Sequence, residues 1–278
     1  MLSCKDRMIT QNIKLGPQET KLLFSLEEKG ISVFTTKDAK KILDSGSASA
    51  WLVISGLKKK GRIMQIERGK YLLVPARAGI EGYWAESPWV IVPHLIDVYY
   101  VGFWTSMNYW GMTEQIPYTV FVATTKRKND LKFGNQKFEF VTLSKKKFFG
   151  FVQEKAGKTE TFNISSKEKT IVDALMHPEY CGGMPEAAKA MWNARDDVDW
   201  SKVLDMSRRV GVSVVLRRLG YLLNILEIEP NIANGLKNTF KGYHFFDPNT
   251  IKERIDYSKE YGLIINRHKN HLLDWREH

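Results

Sequence analysis

One stretch of the sequence constrains the fold more than any other: a helical segment with a basic end, then a glycine, then two short apolar runs joined by a cationic turn. The helical pattern runs from Ser47 to about Lys60 and stops at Gly61. Apolar runs follow on either side of residues 67–70, whose sequence is Glu-Arg-Gly-Lys. A helix followed by a tight hairpin with a cationic tip is typical of a winged helix-turn-helix, which holds one helix in the major groove of DNA. The sequence therefore predicts this module in residues 1–77.

Two further helical segments precede this feature. Residues 17–29 place three leucines on one face, and Thr36 is expected to cap a second helix over residues 37–43. Ser47 is expected to cap the third helix, and residues 63–66 and 71–73 to form the wing strands. The expected core draws on all of these segments: Leu22, Leu26, Ile42, Ala50, Ile54, Leu57, Ile63 and Tyr71.

The positive charge of the chain is concentrated in the same region. Residues 1–77 hold 15 Lys and Arg against 7 Asp and Glu, a balance of +8, whereas residues 78–278 hold 27 against 24, a balance of +3. Together these give the net charge of +11. Because the excess lies in the part that already resembles a DNA-binding module, nucleic acid is favoured as the partner over a membrane surface.

The DNA-contacting residues are predicted from the helical wheel of the third helix and from the hairpin tip. Trp51 and Leu52 lie on the face opposite the core, where they would suit contact with thymine methyl groups and packing against a second domain about equally well. The predicted contacts to double-stranded DNA are Ser47, Ser49, Trp51, Ser55, Lys58, Lys59, Arg68 and Lys70.

A change of pattern after residue 77 predicts a second domain. Residues 78–88 contain glycines and small residues without periodicity, which is typical of a linker, and residues 89–278 are assigned to the larger domain. An aromatic-rich helix is expected from Leu95 to Trp110. Strands are expected at 118–124, 137–143, 148–153 and 159–164, followed by helices at 167–176, 185–193, 200–210 and 212–226. The predicted fold class is α+β: an N-terminal winged helix-turn-helix and then a larger α+β domain with strands first and helices after.

Composition bears on the compartment. Cys4 and Cys181 are far apart and lack metal-ligand spacing, which favours a reducing environment over a disulfide scaffold. The N-terminus lacks an apolar segment of signal-peptide type, and Pro93, His94 and Asp97 interrupt the most apolar stretch, so no membrane partner is expected. The expected location is cytoplasmic.

The residues that first suggest chemistry favour structural roles instead. The spacing of Ser165 and Glu168 predicts a capping box at a helix start, and Asp173 is not on the face of Glu168. His177 and Cys181 are two potential metal ligands without companions. No catalytic residue, metal site or cofactor is predicted, and the protein is expected not to be an enzyme.

Two basic runs in the second domain have two interpretations that stay open. They are either solvated loops that protect a sheet edge or a second polyanion surface, for DNA or for an RNA-bound partner. The residues are Lys126, Arg127, Lys128, Lys145, Lys146 and Lys147.

Several segments in a fixed order resemble the AbiEi antitoxins of type IV toxin–antitoxin systems. None of them is specific alone, but their order over most of the chain is. They are residues 99–104 (YYVGFW), 111–117 (GMTEQIP), 120–127, 148–150 (FFG), 166–173 (SKEKTIVD), 181–183 (CGG) and 218–223 (RLGYLL).

The resemblance implies a two-domain repressor and antitoxin, from a kind of system that can act in abortive phage infection. Its winged helix would bind inverted repeats in its own promoter, and residues 89–278 would form the antitoxin domain. That domain would counteract a nucleotidyltransferase-like toxin, in some members without a stable complex. Lys169 stands where an arginine is usual in that family motif.

The alternative to a binding protein is a two-domain enzyme. Such an enzyme would have a DNA-binding front end and a catalytic C-terminal domain that modifies the toxin or nucleic acid. Carboxylates or histidines with shifted pKa values that converge in a pocket of the second domain would favour it.

Overall fold

A computed structural model describes residues 14–78, 87–156 and 160–276. Within these residues the chain forms eleven α-helices and twelve strands, so the predicted α+β class is confirmed. Contacts divide the chain into two compact units. The first comprises Met1–Leu95 and Ala156–Glu160, and the second comprises Ile96–Lys155 and Thr161–His278.

The first unit combines three helices with a small antiparallel sheet, and a fourth helix follows. Its elements are α1 (Pro17–Glu28), β1 (Val33–Thr35), α2 (Thr36–Leu43), α3 (Ser47–Lys59), β2 (Ile63–Glu67), β3 (Lys70–Leu73) and α4 (Pro88–Leu95). Strand β3 lies between β1 and β2 and pairs antiparallel with both. Residues 79–86, most of the predicted linker, lie outside the described residues.

Local hydrogen bonds shift two helix starts by one residue from the prediction. Thr35, not Thr36, caps α2: its hydroxyl accepts from the Asp38 backbone N–H at 3.3 Å, and the Asp38 carboxylate accepts from the Thr35 N–H at 2.8 Å. The aspartate at the third helical position completes the capping box. Gly46 occupies the cap position of α3, so Ser47 is its first helical residue and not its cap.

The core of the first unit contains the predicted side chains, except that Ile42 is only partly buried. Glu19 ties α1 to α3, since its carboxylate accepts from the Gly16 N–H at 2.7 Å and from the Lys60 ammonium at 2.5 Å. The close approach explains the glycine at position 56, where a Cβ would lie 2.5 Å from the Glu19 carboxylate. Burial alone would raise the pKa of Glu19, but the bonds from Lys60 and Gly16 outweigh it and lower that pKa.

The second unit contains a mixed sheet of six strands and a smaller sheet of three; one helix lies between strands of the larger sheet in the chain, and the others follow that sheet. Its strands are β4 (Tyr99–Val101), β5 (Thr119–Thr124), β6 (Leu131–Phe133), β7 (Gln136–Thr142), β8 (Phe151–Ala156), β9 (Glu160–Ser165), β10 (His244–Phe245), β11 (Asp256–Ser258) and β12 (Leu263–Ile265). Its helices are α5 (Phe103–Tyr109), α6 (Lys167–Met176), α7 (Met184–Asn193), α8 (Trp200–Val210), α9 (Ser213–Leu226), α10 (Pro230–Leu236) and α11 (Lys269–Leu273).

The main sheet has the order β6-β7-β5-β4-β9-β8. Strands β5 and β7 are neighbours and parallel, in a register that pairs Thr119 with Lys137 and Thr124 with Thr142. Strand β4 is antiparallel to β5 and parallel to β9. The carboxyl ends of β5 and β7 therefore lie side by side at one edge of the sheet.

The prediction of one helix from Leu95 to Trp110 is wrong. Helix α4 ends at Leu95, the chain then forms β4, and α5 begins only at Phe103. The segment between them is drawn into the sheet because β4 pairs on both sides. Gly102 permits the reversal, since a Cβ there would lie 2.9 Å from the ring of Tyr100.

The predicted capping box at Ser165 is also wrong by one residue. Ser166 caps α6, its hydroxyl accepting from the Lys169 N–H at 3.2 Å and donating to the Glu168 carboxylate at 2.8 Å. The hydroxyl of Ser165 is buried at the end of β9 and bonds to that of Thr170 at 2.7 Å.

The C-terminal part of the second unit forms a small three-stranded sheet in the order β10-β12-β11. Two buried arginines of α9 hold it. Arg217 donates to the carbonyl oxygens of Lys241, Gly242 and Gly262 at 2.7, 2.8 and 2.7 Å. Arg218 donates to those of Phe246 and Leu175 at 2.9 and 2.6 Å, and burial lowers its pKa to about 10.

Candidate nucleic-acid interface

Helix α3 separates an inner from an outer face. Ala50, Ile54 and Leu57 are buried in the core of the first unit. Trp51 and Leu52 are 59% and 64% exposed, and Ser47, Ala48, Ser49, Lys58 and Lys59 are also exposed. Ser55 is half-buried. The residues predicted from the helical wheel therefore share the outer side of one helix.

Two of the predicted residues on α3 are held by neighbouring elements. The hydroxyl of Ser47 accepts from the ammonium of Lys40 on α2 at 2.9 Å. The ammonium of Lys58 donates to the Gln65 side chain on β2 at 2.7 Å. The first bond brings to the start of α3 a cation, Lys40, that is not among the predicted DNA contacts. The Lys-rich sequence of α2 was the only signal for it.

The hairpin tip presents one exposed cation and one internally bonded cation. Gly69 adopts φ +77°, which a tight turn requires here, and Arg68 beside it is exposed. Lys70 is half-buried; its ammonium donates to the carbonyl oxygen of His94 and lies 3.6 Å from the Glu67 carboxylate. Of the two predicted phosphate contacts, Arg68 is the one that is available to a ligand without breaking a bond.

The pKa of His94, at the end of α4, is shifted by its position next to the hairpin. Burial and the positive charge of Lys70 lower the pKa of His94, although Asp38 acts in the opposite direction. The imidazole therefore favours its neutral form next to the hairpin.

The parallel pairing of β5 and β7 brings the two basic runs of the second unit to one edge of the sheet. The Leu143 N–H donates to the Thr124 carbonyl oxygen at 2.8 Å, so the segments that leave these strands start side by side. Four of the six predicted cations are exposed, namely Lys126, Arg127, Lys145 and Lys146. Lys128 and Lys147 are half-buried, and the ammonium of Lys128 lies 5.3 Å from the Phe140 ring centre.

A third group of cations, in the last turn of α8, lies near this edge of the sheet. A Cβ at Gly211 would lie 2.7 Å from the Lys146 ammonium, so this side chain reaches the carboxyl end of α8. The last turn of α8 contains Arg208 and Arg209, both exposed. Sequence spacing gave no sign that residues 145–147 and α8 meet.

The most concentrated ionisable cluster of the second unit is closed to solvent. The Lys169 ammonium donates to the Asp173 carboxylate and, at 3.0 Å, to the Tyr100 hydroxyl, which itself donates to Asp173 at 3.0 Å. All three side chains are fully buried. Burial and the charge of Asp173 raise the pKa of Tyr100 and of the neighbouring Cys181 thiol well above their usual values. The arrangement suits a structural ion pair.

The open groove of the second unit has different residues. Its volume is about 820 Å³, and it is lined by Glu114, Lys189, Trp192, Asn193, Trp275 and Arg276. Lys189 pairs with Glu114 at 2.6 Å. Among residues 14–78, 87–156 and 160–276, no three His, Cys, Asp or Glu side chains come together in a group that could hold a metal ion. None of the described helices is long and apolar enough to span a bilayer.

Comparison with known proteins identifies the fold and no more. No family model matches the chain, and no curated protein matches it. Its structure is similar to the crystal structure of the RV2827C protein from Mycobacterium tuberculosis, with a TM-score of 0.70 over 95% of this chain and 96% of that one. The two sequences are 13% identical, so the similarity concerns the arrangement of helices and strands.

Proposed function

We propose that the chain is a DNA-binding transcriptional repressor whose first unit is a winged helix-turn-helix. The observation that carries the proposal is the outer face of α3, which is exposed next to a hairpin with an exposed arginine. The element order α1-β1-α2-α3-β2-β3, with β3 between the other two strands, supports it. A helix that is packed on one side and exposed on the other can enter the major groove while the hairpin contacts the flanking phosphates.

The distribution of charge supports double-stranded DNA as the partner. Cations lie at both ends of the outer face of α3, and Arg68 lies at the hairpin tip. Phosphate contacts of this kind displace condensed counterions and position a protein without reading sequence. The basic sheet edge of the second unit would add contacts of the same type.

We further propose that the second unit acts as an antitoxin against a nucleotidyltransferase-like toxin. The support is the resemblance to the AbiEi antitoxins, whose motifs lie mainly in the second unit. Several of these motif residues are buried, among them Tyr100, Phe103, Lys169, Asp173 and Arg218. They would preserve the fold of an antitoxin domain rather than form its contact surface. The enzyme alternative has less support, because the buried Lys169 cluster does not line the open groove.

The experiment compares two full-length variants with the same change in charge. The first replaces Lys58, Lys59 and Arg68 by glutamate. The control replaces three exposed lysines outside the proposed interface, Lys241, Lys252 and Lys259, by glutamate. Binding to the promoter DNA of the chain's own gene is measured by fluorescence anisotropy, and growth is scored during co-expression with the neighbouring toxin.

The first variant should lose promoter binding and retain rescue, whereas the control should retain both. Promoter binding by the first variant at the wild-type level would overturn the role of α3 and the hairpin. Failure of the wild-type protein to protect growth would overturn the antitoxin role and leave the repressor role standing.

A further inference from the structure

The outer face of α3 has an unusual composition for a helix that enters a DNA groove. Ala48, Leu52, Ser55 and Lys59 follow one another at helical spacing along this face, and Trp51 lies beside them. The half towards the carboxyl end is polar, and the half towards the amino end exposes Ser47 and Ser49 beside its apolar residues. The half towards the amino end offers large apolar side chains to solvent, and exposed apolar groups grouped in this way mark a contact surface.

Helix α3 lacks several of the side chains that usually identify bases. The sequence of α3, SASAWLVISGLKK, contains no Asn or Gln for adenine, no Arg for guanine and no Asp or Glu for cytosine. Its side chains that can form hydrogen bonds with base edges are the serines and the two lysines of the last turn. On the major-groove edges of the base pairs, the C5-methyl group of thymine is the apolar feature. Trp51 and Leu52 are the large apolar side chains of α3 that are exposed and could meet that feature.

The charges around the apolar patch favour DNA over a second copy of this chain. Lys58 and Lys59 lie beyond it in the last turn of α3, and the Lys40 ammonium lies 2.9 Å from the Ser47 hydroxyl before it. A second copy on this face would bring like charges together, which is unfavourable. The phosphates that border a major groove would complement the same cations.

We infer that Trp51 and Leu52 read thymine C5-methyl groups in the major groove and so favour T-containing operator sequences. The inference rests on the proposed DNA-binding function and goes beyond it, since it names the chemical group that is recognised. It makes Leu52 the central reading residue, because Leu52 lies in the middle of the outward row, and Trp51 its flanking partner.

A double-mutant cycle between protein and DNA tests the inference. The probe is the promoter duplex of the chain's own gene with its thymines replaced one at a time by uracil, which removes the methyl group and leaves base pairing intact. For the wild-type protein, each methyl group that is read should contribute about fourfold to affinity, the value expected for burying one methyl-sized group. Leu52→Ala and Trp51→Ala should bind the thymine duplex more weakly and lose their sensitivity to one or more of these replacements.

Two variants serve as matched controls. Phe24→Ala removes a side chain of α1 that is 62% exposed, outside the proposed reading face, and should leave both affinity and methyl sensitivity unchanged. Lys59→Ala should weaken binding to every duplex and retain methyl sensitivity, because a phosphate contact does not depend on the base.

The outcomes separate this inference from the proposed function. Tight promoter binding without any uracil effect would overturn methyl reading and leave DNA binding intact. Failure of the wild-type protein to bind the promoter would overturn the proposed function and methyl reading together. A change in sedimentation of Leu52→Ala without a change in DNA binding would overturn the inference in favour of a self-interface.

Discussion

The two units use their charged residues in opposite ways. In the first unit the cations on α2, α3 and the hairpin lie mainly at the surface, where Lys40, Lys58 and Lys70 each donate to one neighbouring oxygen. In the second unit the most densely connected ionisable groups are internal: Lys169 and Asp173 pair in the core, and Arg217 and Arg218 donate to backbone carbonyl oxygens. A positively charged residue in this sequence is therefore evidence of a binding surface only when its surroundings leave it accessible.

The difference has an energetic basis. A surface cation has little effect on folding and is free to neutralise phosphate, whereas a buried cation is tolerated only with partners that replace its hydration. The sequence motif of residues 166–173 looks functional because it is rich in charged residues. Lys169 and Asp173, however, are one helical turn apart in α6 and form a buried ion pair with each other.

Removing one partner of the buried pair should have the largest effect. Asp173→Ala should reduce the free energy of unfolding by roughly 3–5 kcal/mol, because the Lys169 ammonium would remain in the core without its counter-charge. Urea unfolding followed by tryptophan fluorescence measures it. The double variant Lys169→Met with Asp173→Leu should be less destabilised than either single change. A loss below about 1 kcal/mol for Asp173→Ala would mean that water reaches the pair.

Two leucines of α3 allow the inner and outer faces to be compared in one helix. Leu57→Ala should cost roughly 2–5 kcal/mol of folding free energy, because Leu57 is fully buried in the core of the first unit. Leu52→Ala should change stability by about 0.5 kcal/mol or less, because its side chain is mostly exposed. Thermal unfolding of both variants measures the contrast. Equal losses would show that Leu52 is covered in solution.

A salt titration of DNA binding should distinguish the contributions of the two cations of the hairpin tip. Arg68→Ala should lower the slope of log affinity against log salt by about 1, because one phosphate contact is lost. Lys70→Ala should lower it less, since its ammonium already donates to the His94 carbonyl oxygen. An unchanged slope when both are replaced would place the hairpin off the DNA.

A small and pH-dependent effect should come from the contacts of Glu19 between α1 and α3. The pKa of Glu19 is lowered in the folded protein, so the bonds to Lys60 and Gly16 stabilise the fold above the usual carboxyl pKa of 4.5 and lose their effect as pH falls through the lower folded value. Glu19→Gln should therefore cost up to about 1 kcal/mol at neutral pH. The difference from wild type should vanish at acidic pH. A difference that persists at pH values well below 4.5 would assign it to packing instead.

Local patterns predicted the helices and the core of the first unit well. The bounds of α6 and α8 are those expected, and α1 differs by a single residue at its end, because apolar periodicity and terminal signals act within a few residues. The buried side chains Leu22, Leu26, Ala50, Ile54 and Leu57 were also selected correctly. Their spacing along helices determines which face can meet a core.

Features that depend on long-range pairing were missed. Residues Tyr99–Val101 were assigned to a helix because a short aromatic and apolar run is compatible with a helix or a strand. Pairing with β5 and β9 makes this segment a strand. The parallel alignment of β5 and β7, which brings the two basic runs together, leaves no signal in either strand. The bond between Lys40 and Ser47 depends in the same way on how α2 packs beside α3.

The buried arginines of α9 have a consequence for synthesis on the ribosome. Arg217 takes its acceptors from Lys241, Gly242 and Gly262, which leave the exit tunnel after it. Until then its guanidinium must stay hydrated, and α9 cannot settle into the core. The first unit consists of Met1–Leu95 and Ala156–Glu160, which precede α9 in the chain, whereas the second unit includes the final strands. Translation therefore allows the first unit to fold before the second, so a nascent chain can expose the outer face of α3 while the second unit is still incomplete.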